Sequence, residues 1–340
     1  GDDFFSKHKK FSRINFFKLN FNPLFIYRTI SAIKNNPDLI WFHANNVYVL
    51  LFFFFFSDKK SLFVVNIWSE KIPRLILGNT IKGKLWKYAL SKADYVQCNW
   101  YGTEKLLKQS NLKNNIVVHP WGLHEDYFKN EYDTIGAVAE KFVEQLPNDK
   151  VKFYYPKSIT FASDHTTVVE AAAVLVKNNI TNFVVYFWMG NIIDKQKEKQ
   201  LVEQIEALEL TNYIKIEKHN YISYNDIKYI WSKMDVGLQI AIFDQFSSTL
   251  IEPMLMQKEV IVTDIEPYRK LTELHSEINL KLIARNPKAL SEAMSDCIAG
   301  KNSGKSTLLA RKKMVEKEFN FTENLAKTLS IYQKAKAPTP

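Results

Sequence analysis

The sequence predicts an α/β protein made of two tandem βα domains that face each other across a cleft. Three observations carry this expectation. The chain has 340 residues, more than one hydrophobic core ordinarily serves, because cores split beyond about 250 residues. Short apolar, β-branched runs alternate with helix-length segments, the pattern of a mostly parallel sheet with helices on both faces. The alternation pauses once, in the polar and amphipathic stretch that ends at Leu146, Pro147, Asn148, Asp149 and Lys150, and then resumes. The expected division is a first domain over 1–135, a linker over 136–150, a second domain over 151–318 and a closing helix with its tail over 319–340.

In the first third, strands are expected at Leu39–Phe42, Leu62–Asn66, Tyr95–Cys98 and Ile116–His119, and helices at Leu24–Asn35, Lys82–Ser91 and Thr103–Gln109. The most apolar run, Val47–Phe56, is ten residues long and closed by Ser57, Asp58, Lys59 and Lys60. A membrane-spanning helix needs about 20. The start, Gly1 to Phe5, lacks the basic-then-apolar order of a signal peptide. In the second half, strands are expected at Val151–Tyr155, Phe183–Trp188, Ile214–Glu217, Val236–Ile240 and Glu259–Thr263. Helices fit Thr166–Lys177, Lys195–Leu208, Tyr224–Lys233, Ser248–Met256 and Pro287–Ile298, and a final helix, Thr322–Lys334, follows a basic and polar stretch.

Composition narrows the class. Hydrophobic residues are 46% and charged residues 24%, and 24 Phe, 16 Tyr and 7 Trp supply a large core, which excludes global disorder. Cys98 and Cys297 are the two cysteines, in no CxxC pair, so a disulfide scaffold and a cysteine zinc site are not expected and a reducing compartment is. No Asp-x-Asp or His/Cys cluster with ligand spacing is present, so no metal is expected. The net charge of +10 is uneven: residues 1–120 hold 18 Lys and Arg against 7 Asp and Glu, and the remainder is almost neutral. One domain is thus expected to face an anionic partner, whether nucleic acid, phosphorylated substrate or anionic lipid.

The stretch from Asp235 to Met254 carries the most chemistry. It reads as an apolar strand, a polar loop and a helix start. Ser247, Ser248 and Thr249 fall at the first turn, where unpaired backbone N–H groups, hydroxyls and the positive dipole end suit a phosphate. Read blandly, Ser247 or Ser248 is an N-cap and Glu252 a first-turn acid that favours the dipole. Read functionally, Glu252 accepts hydrogen bonds from sugar or ribose hydroxyls and Asp244 lies on the loop facing the cleft.

The form Asp244-x7-Glu252, followed by the strand-like Lys258–Asp264, resembles the Glu-x7-Glu signature of retaining glycosyltransferases of the glycosyltransferase-B (GT-B) fold, in particular the family-4 type that builds bacterial surface polysaccharides. Lys92–Leu107, Val117–Phe128, Phe183–Gly190, Asn225–Asp235 and Phe321–Tyr332 are similar to further elements of that family, in the same order, so the resemblance covers about residues 37–334. It implies two Rossmann-like domains around a cleft, with the C-terminal helix packing back on the first. The family begins with a glycine-rich turn that has no counterpart in the 36 residues before Pro37, so the first domain is expected to be N-terminally incomplete or reduced.

By the same resemblance, Glu252 holds the donor ribose, Ser247, Ser248 and Thr249 hold the diphosphate, and Asp244, one methylene shorter than the family's Glu, stands near the transferred sugar. Lys157 lies near the Arg of the family's Arg-x4-Lys pair, while Ser163 or Asp164 stands where its Lys would be and His165 is a candidate substitute. A phosphate would be repelled by an acid there. Trp68 occupies the place of a first-domain His, and His43, ending the preceding strand, is the other candidate catalytic residue, with Asn45 beside it on the acceptor side. His119 and His124 are weaker candidates.

The expected activity is transfer of a hexosyl group from a nucleotide-sugar co-substrate to a saccharide or lipid-linked acceptor, without metal or other cofactor. The expected place is cytoplasmic, peripheral at the inner face of the membrane, with basic residues near 7–13 and 82–92 meeting anionic lipid. Departures at Asp244, Ser163 and Trp68 keep open a second reading, a catalytically inactive glycosyltransferase-like partner subunit. A nucleic-acid-binding protein ranks lowest, because no recognised nucleic-acid motif accompanies the charge.

Overall fold

The computed structural model describes residues 31, 39–43, 46–56, 61–67, 71–112, 115–129, 134–160, 162–189, 194–218 and 222–336. The helix expected at Leu24–Asn35 therefore lies, apart from Ser31, outside the described residues. The chain divides into two compact units, Gly1–Pro120 with Ala326–Pro340, and Trp121–Leu325.

In the first unit β1 (Leu39–His43), β2 (Leu62–Ile67), β3 (Tyr95–Cys98) and β4 (Asn115–Val118) form a parallel sheet in the order β1-β2-β3-β4. A parallel neighbour requires a crossover. The apolar run forms the first of these as α1 (Val47–Phe56); α2 (Lys71–Leu77) with α3 (Ile81–Leu90), and then α4 (Tyr101–Gln109), form the next two. Phe63, Val65, Ile67, Val96 and Cys98 pack with Val47, Leu50, Trp86, Leu90 and Leu107 into one core. Gly83 lets α3 approach α2 closely: a Cβ there would lie 2.0 Å from the Leu75 carbonyl oxygen.

The second unit opens with a 3-10 turn, Glu125–Phe128, and α5 (Ala137–Glu144), a helix within the stretch expected as a linker. Ala139 and Phe142 bury its inner face against Tyr186 and Trp188. Then follow β5 (Val151–Tyr155), α6 (His165–Lys177), β6 (Phe183–Met189), α7 (Lys195–Ala207), β7 (Ile214–Lys218), α8 (Tyr224–Lys233), β8 (Val236–Gln239), α9 (Ser248–Leu255), β9 (Glu259–Thr263), α10 (Glu266–Leu274), β10 (Lys281–Ile283), α11 (Pro287–Ile298) and α12 (Lys305–Glu318). The six strands are ordered β10-β9-β8-β5-β6-β7 and pair in parallel. From β5 the chain winds outward to β7, returns to the other side of β5 at β8, and winds outward again.

Both faces of this sheet are covered, so β6 is apolar throughout rather than alternating, whereas the edge strand β7 alternates Ile214, Lys215, Ile216 and Glu217. Phe153 and Tyr155 of β5 face the core shared with α6 and α11, while Tyr154 faces Trp231 of α8. Gly237, in the middle of β8, lets α9 lie close: a Cβ would be 3.0 Å from the Pro253 ring and 3.1 Å from Trp231.

The basic stretch before the closing helix is itself helical, as α12. Its amphipathic face is hard to see because one of its buried positions is an arginine. Arg311 is fully buried and donates to Glu259 Oε1, the Ile278 carbonyl and the Asn279 carbonyl, each at 2.8 Å, and to Ser303 Oγ at 3.0 Å. Burial alone would raise the Glu259 carboxyl, but the guanidinium and Ser303 outweigh it and hold its pKa below the ordinary 4.5.

The closing helix, α13 (Phe321–Lys336), returns to the first unit from Ala326 onward. There the Tyr332 hydroxyl donates to buried Gln97 Oε1 at 2.8 Å, and its ring packs on Tyr95 and Trp41. Among the described residues no helix is long and apolar enough to cross a membrane.

Two stability measurements test these contacts. Arg311→Ala leaves a buried carboxylate without its cation and is expected to cost about 3–5 kcal/mol in denaturant unfolding. That cost shrinks as pH falls through the depressed Glu259 pKa, because a protonated carboxyl needs no counter-charge. Tyr332→Phe strands the Gln97 carboxamide, whose Nε2 has no partner among the described residues, and is expected to cost about 1–3 kcal/mol.

Candidate active site

In a doubly wound sheet the crevice for a ligand opens beyond the carboxyl ends of the strands where the winding reverses. Here that point lies between β5 and β8, which pair through Phe153–Val236 and Tyr154–Gly237. Lys157 stands just past β5, Gln239 ends β8, and Asp244 to Thr249 lead from β8 into α9.

The backbone of both loops is fixed. The Tyr155 hydroxyl donates to the Ile240 carbonyl at 2.5 Å and accepts from Asp164 N at 3.1 Å, and Asp164 N also donates to the Ile240 carbonyl at 3.0 Å. Ser163 Oγ donates to the Ser158 carbonyl at 2.7 Å. His165 Nε2 lies 2.9 Å from the Lys157 carbonyl, which can only accept, so that nitrogen carries the proton. On the β8 side, Ala241 N donates to Thr263 Oγ1 at 3.0 Å.

The side chains converge on one carboxylate oxygen. Asp244 Oδ2 accepts from Lys157 Nζ at 3.1 Å, Ser247 Oγ at 2.7 Å, Tyr268 OH at 2.5 Å and the Gln239 carboxamide, while Oδ1 accepts from Gln245 N at 2.7 Å. Lys157 Nζ also donates to Ser247 Oγ at 2.8 Å, and Thr249 Oγ1 lies 2.9 Å from Ser247 Oγ and donates to Gln239 Oε1 at 2.7 Å. Burial pushes the Asp244 carboxyl up, but the Lys157 ammonium and the donors from Tyr268, Ser247 and Gln245 prevail and hold its pKa below the ordinary 3.8. Ser247 is the N-cap residue of α9, yet its side chain caps nothing. No side-chain cap therefore competes for the first-turn amides.

Glu252 is 4% exposed. Its Oε2 accepts from Trp231 Nε1 at 2.8 Å and its Oε1 from Tyr127 OH at 3.0 Å. Burial raises its pKa above the ordinary 4.5, and hydrogen bonds from Trp231, Tyr127 and Ser248 only partly offset that. Ser248 itself is exposed at the helix start.

The structure thus brings Lys157, Asp244, Ser247 and Thr249 together and seats Glu252 one turn further along α9, among aromatic donors. His43 is exposed at the carboxyl end of β1 in the first unit. Trp68 and Asn45 lie outside the described residues. His165 is no substitute cation: burial pushes its pKa down to about 4, and it supports the Lys157 carbonyl instead. Asp164 does not face a phosphate as a bare charge, since it caps α6 through Thr167 N at 3.1 Å and pairs with Arg285 at 3.4 Å. His119 is likewise pushed down to about 4 by burial, and His124 stacks on Tyr224 at 4.9 Å.

Sequence reasoning missed Gln239, Tyr268, Tyr127 and Trp231. A carboxamide ending the strand Val236–Gln239 was the available signal, because a polar side chain in an otherwise apolar buried strand needs partners.

Residues 138–313 match the family described as Glycosyl transferases group 1. Among solved structures, a glycosyltransferase from Rickettsia africae superposes with a TM-score of 0.67 at 20% identity, covering 96% of this chain and 85% of that one. Anabaena HepE in complex with UDP and glucose gives 0.70 at 17% identity, covering 90% and 81%. Sucrose-phosphate synthase from Thermosynechococcus elongatus gives 0.68 at 15% identity, covering 95% and 81%. At these identities the likeness is one of fold, the two-domain GT-B fold. No curated protein matches the chain.

The Glu252 site makes a prediction of its own. A carboxyl whose pKa is raised on folding binds its proton more tightly in the folded state, so stability is full below the ordinary pKa and falls as pH rises through the raised one. Glu252→Gln escapes this loss while keeping an acceptor for Trp231 and a donor for Tyr127. The variant is expected to match the parent chain in thermal unfolding below pH 4 and to exceed it at pH 7.

Proposed function

The chain belongs to the group 1 glycosyl transferases, and on that premise we propose that it transfers a hexosyl group from a nucleoside-diphosphate sugar to a saccharide or lipid-linked acceptor in surface polysaccharide synthesis, with retention at the anomeric carbon. The observation that carries this reading is the cluster of Lys157, Ser247 and Thr249 beside the uncapped start of α9, at the reversal point of the second sheet. An ammonium, two hydroxyls and a helix start whose amides no side chain caps together are the complement of a diphosphate. HepE, whose structure holds UDP and glucose, supports a uridine nucleotide as the donor class.

In this reading Lys157, Ser247, Ser248 and Thr249 hold the diphosphate, Glu252 the ribose, and Asp244 the transferred sugar. His43, Trp68 and Asn45 serve the acceptor side. During transfer the bond from the anomeric carbon to the diphosphate breaks and its electron pair leaves with the diphosphate. The acceptor oxygen bonds to the anomeric carbon and its proton passes to the departing diphosphate. Charge grows on the leaving diphosphate, where Lys157 and the α9 amides stabilise it. This chemistry asks for no metal.

The acceptor reading draws on the first unit's charge. From Lys71 to Ala93 there are six Lys and Arg and no Asp or Glu, and Leu77, Ile81 and Tyr88 stand exposed among Lys82, Lys84, Lys87 and Lys92. Exposed apolar and aromatic groups mixed with lysines suit the surface of an anionic membrane, here its cytoplasmic face, and a lipid-linked acceptor. The second reading, a partner subunit that binds donor without transfer, is favoured by one observation: the ion pair of Lys157 with Asp244 neutralises the cation.

Calorimetric titration with UDP, GDP and TDP, followed by a donor-turnover assay, separates these. Saturable binding of one nucleotide with turnover supports transfer; binding without turnover across acceptors supports the partner subunit. If no nucleoside diphosphate binds the folded chain, both readings fail. Lys157→Ala is expected to weaken nucleotide binding and to lower kcat/KM by about 100-fold or more.

A further inference from the structure

The side chains assigned above to the diphosphate already hold an anion of the protein's own. Lys157 Nζ and Ser247 Oγ both donate to Asp244 Oδ2, at 3.1 and 2.7 Å. The pair is well shielded, with 19% of the Lys157 side chain and 11% of the Asp244 side chain exposed, so solvent screens it less than a surface pair. An arriving diphosphate would compete with this carboxylate for the same donors and, while the carboxylate stays in contact with them, would be repelled by it.

Asp244 has a second set of donors that the diphosphate does not need. Tyr268 OH lies 2.5 Å from Oδ2, Gln245 N lies 2.7 Å from Oδ1, and the Gln239 carboxamide also reaches Oδ2. Gln239 is itself fixed, since its Nε2 donates to Tyr268 OH at 2.6 Å and its Oε1 accepts from Thr249 Oγ1 at 2.7 Å. A carboxylate released by Lys157 and Ser247 would still be held by three groups. Nothing in the arrangement requires it to swing away into solvent.

We propose that Asp244 is an internal stand-in for the donor diphosphate: it holds Lys157 and Ser247 until the donor arrives, the diphosphate displaces it from both, and Tyr268 and Gln239 keep the displaced carboxylate beside the sugar. The inference rests on the assignment of Lys157 to the diphosphate. Tyr268 and Gln239 are positioning residues in it, acting through Asp244.

The test is a binding cycle on the full chain, read by calorimetry with UDP and with inorganic pyrophosphate. Asp244→Asn is expected to tighten both by about tenfold, and Asp244→Ser, which removes the carboxylate without adding an amide donor, to do the same. In a Lys157→Ala background the gain from Asp244→Asn should vanish, because the competition runs through that ammonium. Tyr268→Phe is expected to weaken binding severalfold in the parent chain, since Asp244 then leans harder on Lys157, and to change nothing in Asp244→Asn. Unchanged or weaker binding by both Asp244 variants overturns the proposal, as does a gain that persists without Lys157, which would mark a general field effect. A loss from Tyr268→Phe that is equal in both backgrounds overturns the positioning role. If Lys157→Ala binds UDP as tightly as the parent chain, the assignment of Lys157 fails, an outcome distinct from these.

Discussion

The direction in which the second sheet is wound determines where chemistry can occur. Strands β5, β6 and β7 are laid down on one side and β8, β9 and β10 on the other. The loops that leave β5 and β8 must therefore depart over opposite faces, and a gap opens between them. Every other feature of the site answers to that gap. Gly237 lets α9 approach β8 and present its first turn there, and the hydrogen bonds among the Tyr155 hydroxyl, Ile240 and Asp164 tie the two loop backbones together.

A gap lined by an ammonium, a carboxylate and hydroxyls is costly unless its charges are matched. Asp244 and Lys157 match each other, and the hydroxyls of Ser247, Thr249 and Tyr268 with the Gln239 carboxamide complete a closed set of donors and acceptors. Glu252 is different. It is a buried carboxylate hydrogen-bonded by neutral donors, Trp231, Tyr127 and Ser248, and the protein holds it at some cost in stability. A carboxyl kept under such conditions one turn from the Lys157 and Asp244 cluster is a candidate for function on physical grounds.

Much of this fold was legible because its central strands are covered on both faces and so read as mostly apolar, β-branched or aromatic runs. Val151–Tyr155 and Glu259–Thr263 are strands over the residues their composition suggests. The gaps in the reading have physical causes. Helix α12 hides its inner face because a buried arginine takes the place of an apolar residue. Strand β10 is three residues long, too short for periodicity to register. Helix α5 looked like a linker because its inner face is small, Ala139 and Phe142 with Val143 packed beside them, within a polar stretch. In the site, Ser247 and Thr249 stood out at a helix start, Asp244 and Glu252 through the acid-x7-Glu form, and Lys157 through the resemblance of its loop to a family pattern. Gln239 and Tyr268 did not, because the bond that joins them spans 29 residues of sequence and a hydrogen bond leaves no periodicity to read.

The anchoring of the Lys157 backbone bears on what recognition demands of the chain. Its carbonyl is held by a neutral, buried His165, and the loop beyond it is pinned by Ser163 and Asp164. What changes partner in the proposed exchange is side chain, the four-carbon arm of the lysine and the Ser247 hydroxyl. In the exchange proposed above, an incoming anion asks of Lys157 the rotamers of one side chain, about 0.5–1.5 kcal/mol in lost entropy. On that proposal, the exchange of one anion for another draws on side-chain rotation over a backbone that is already anchored.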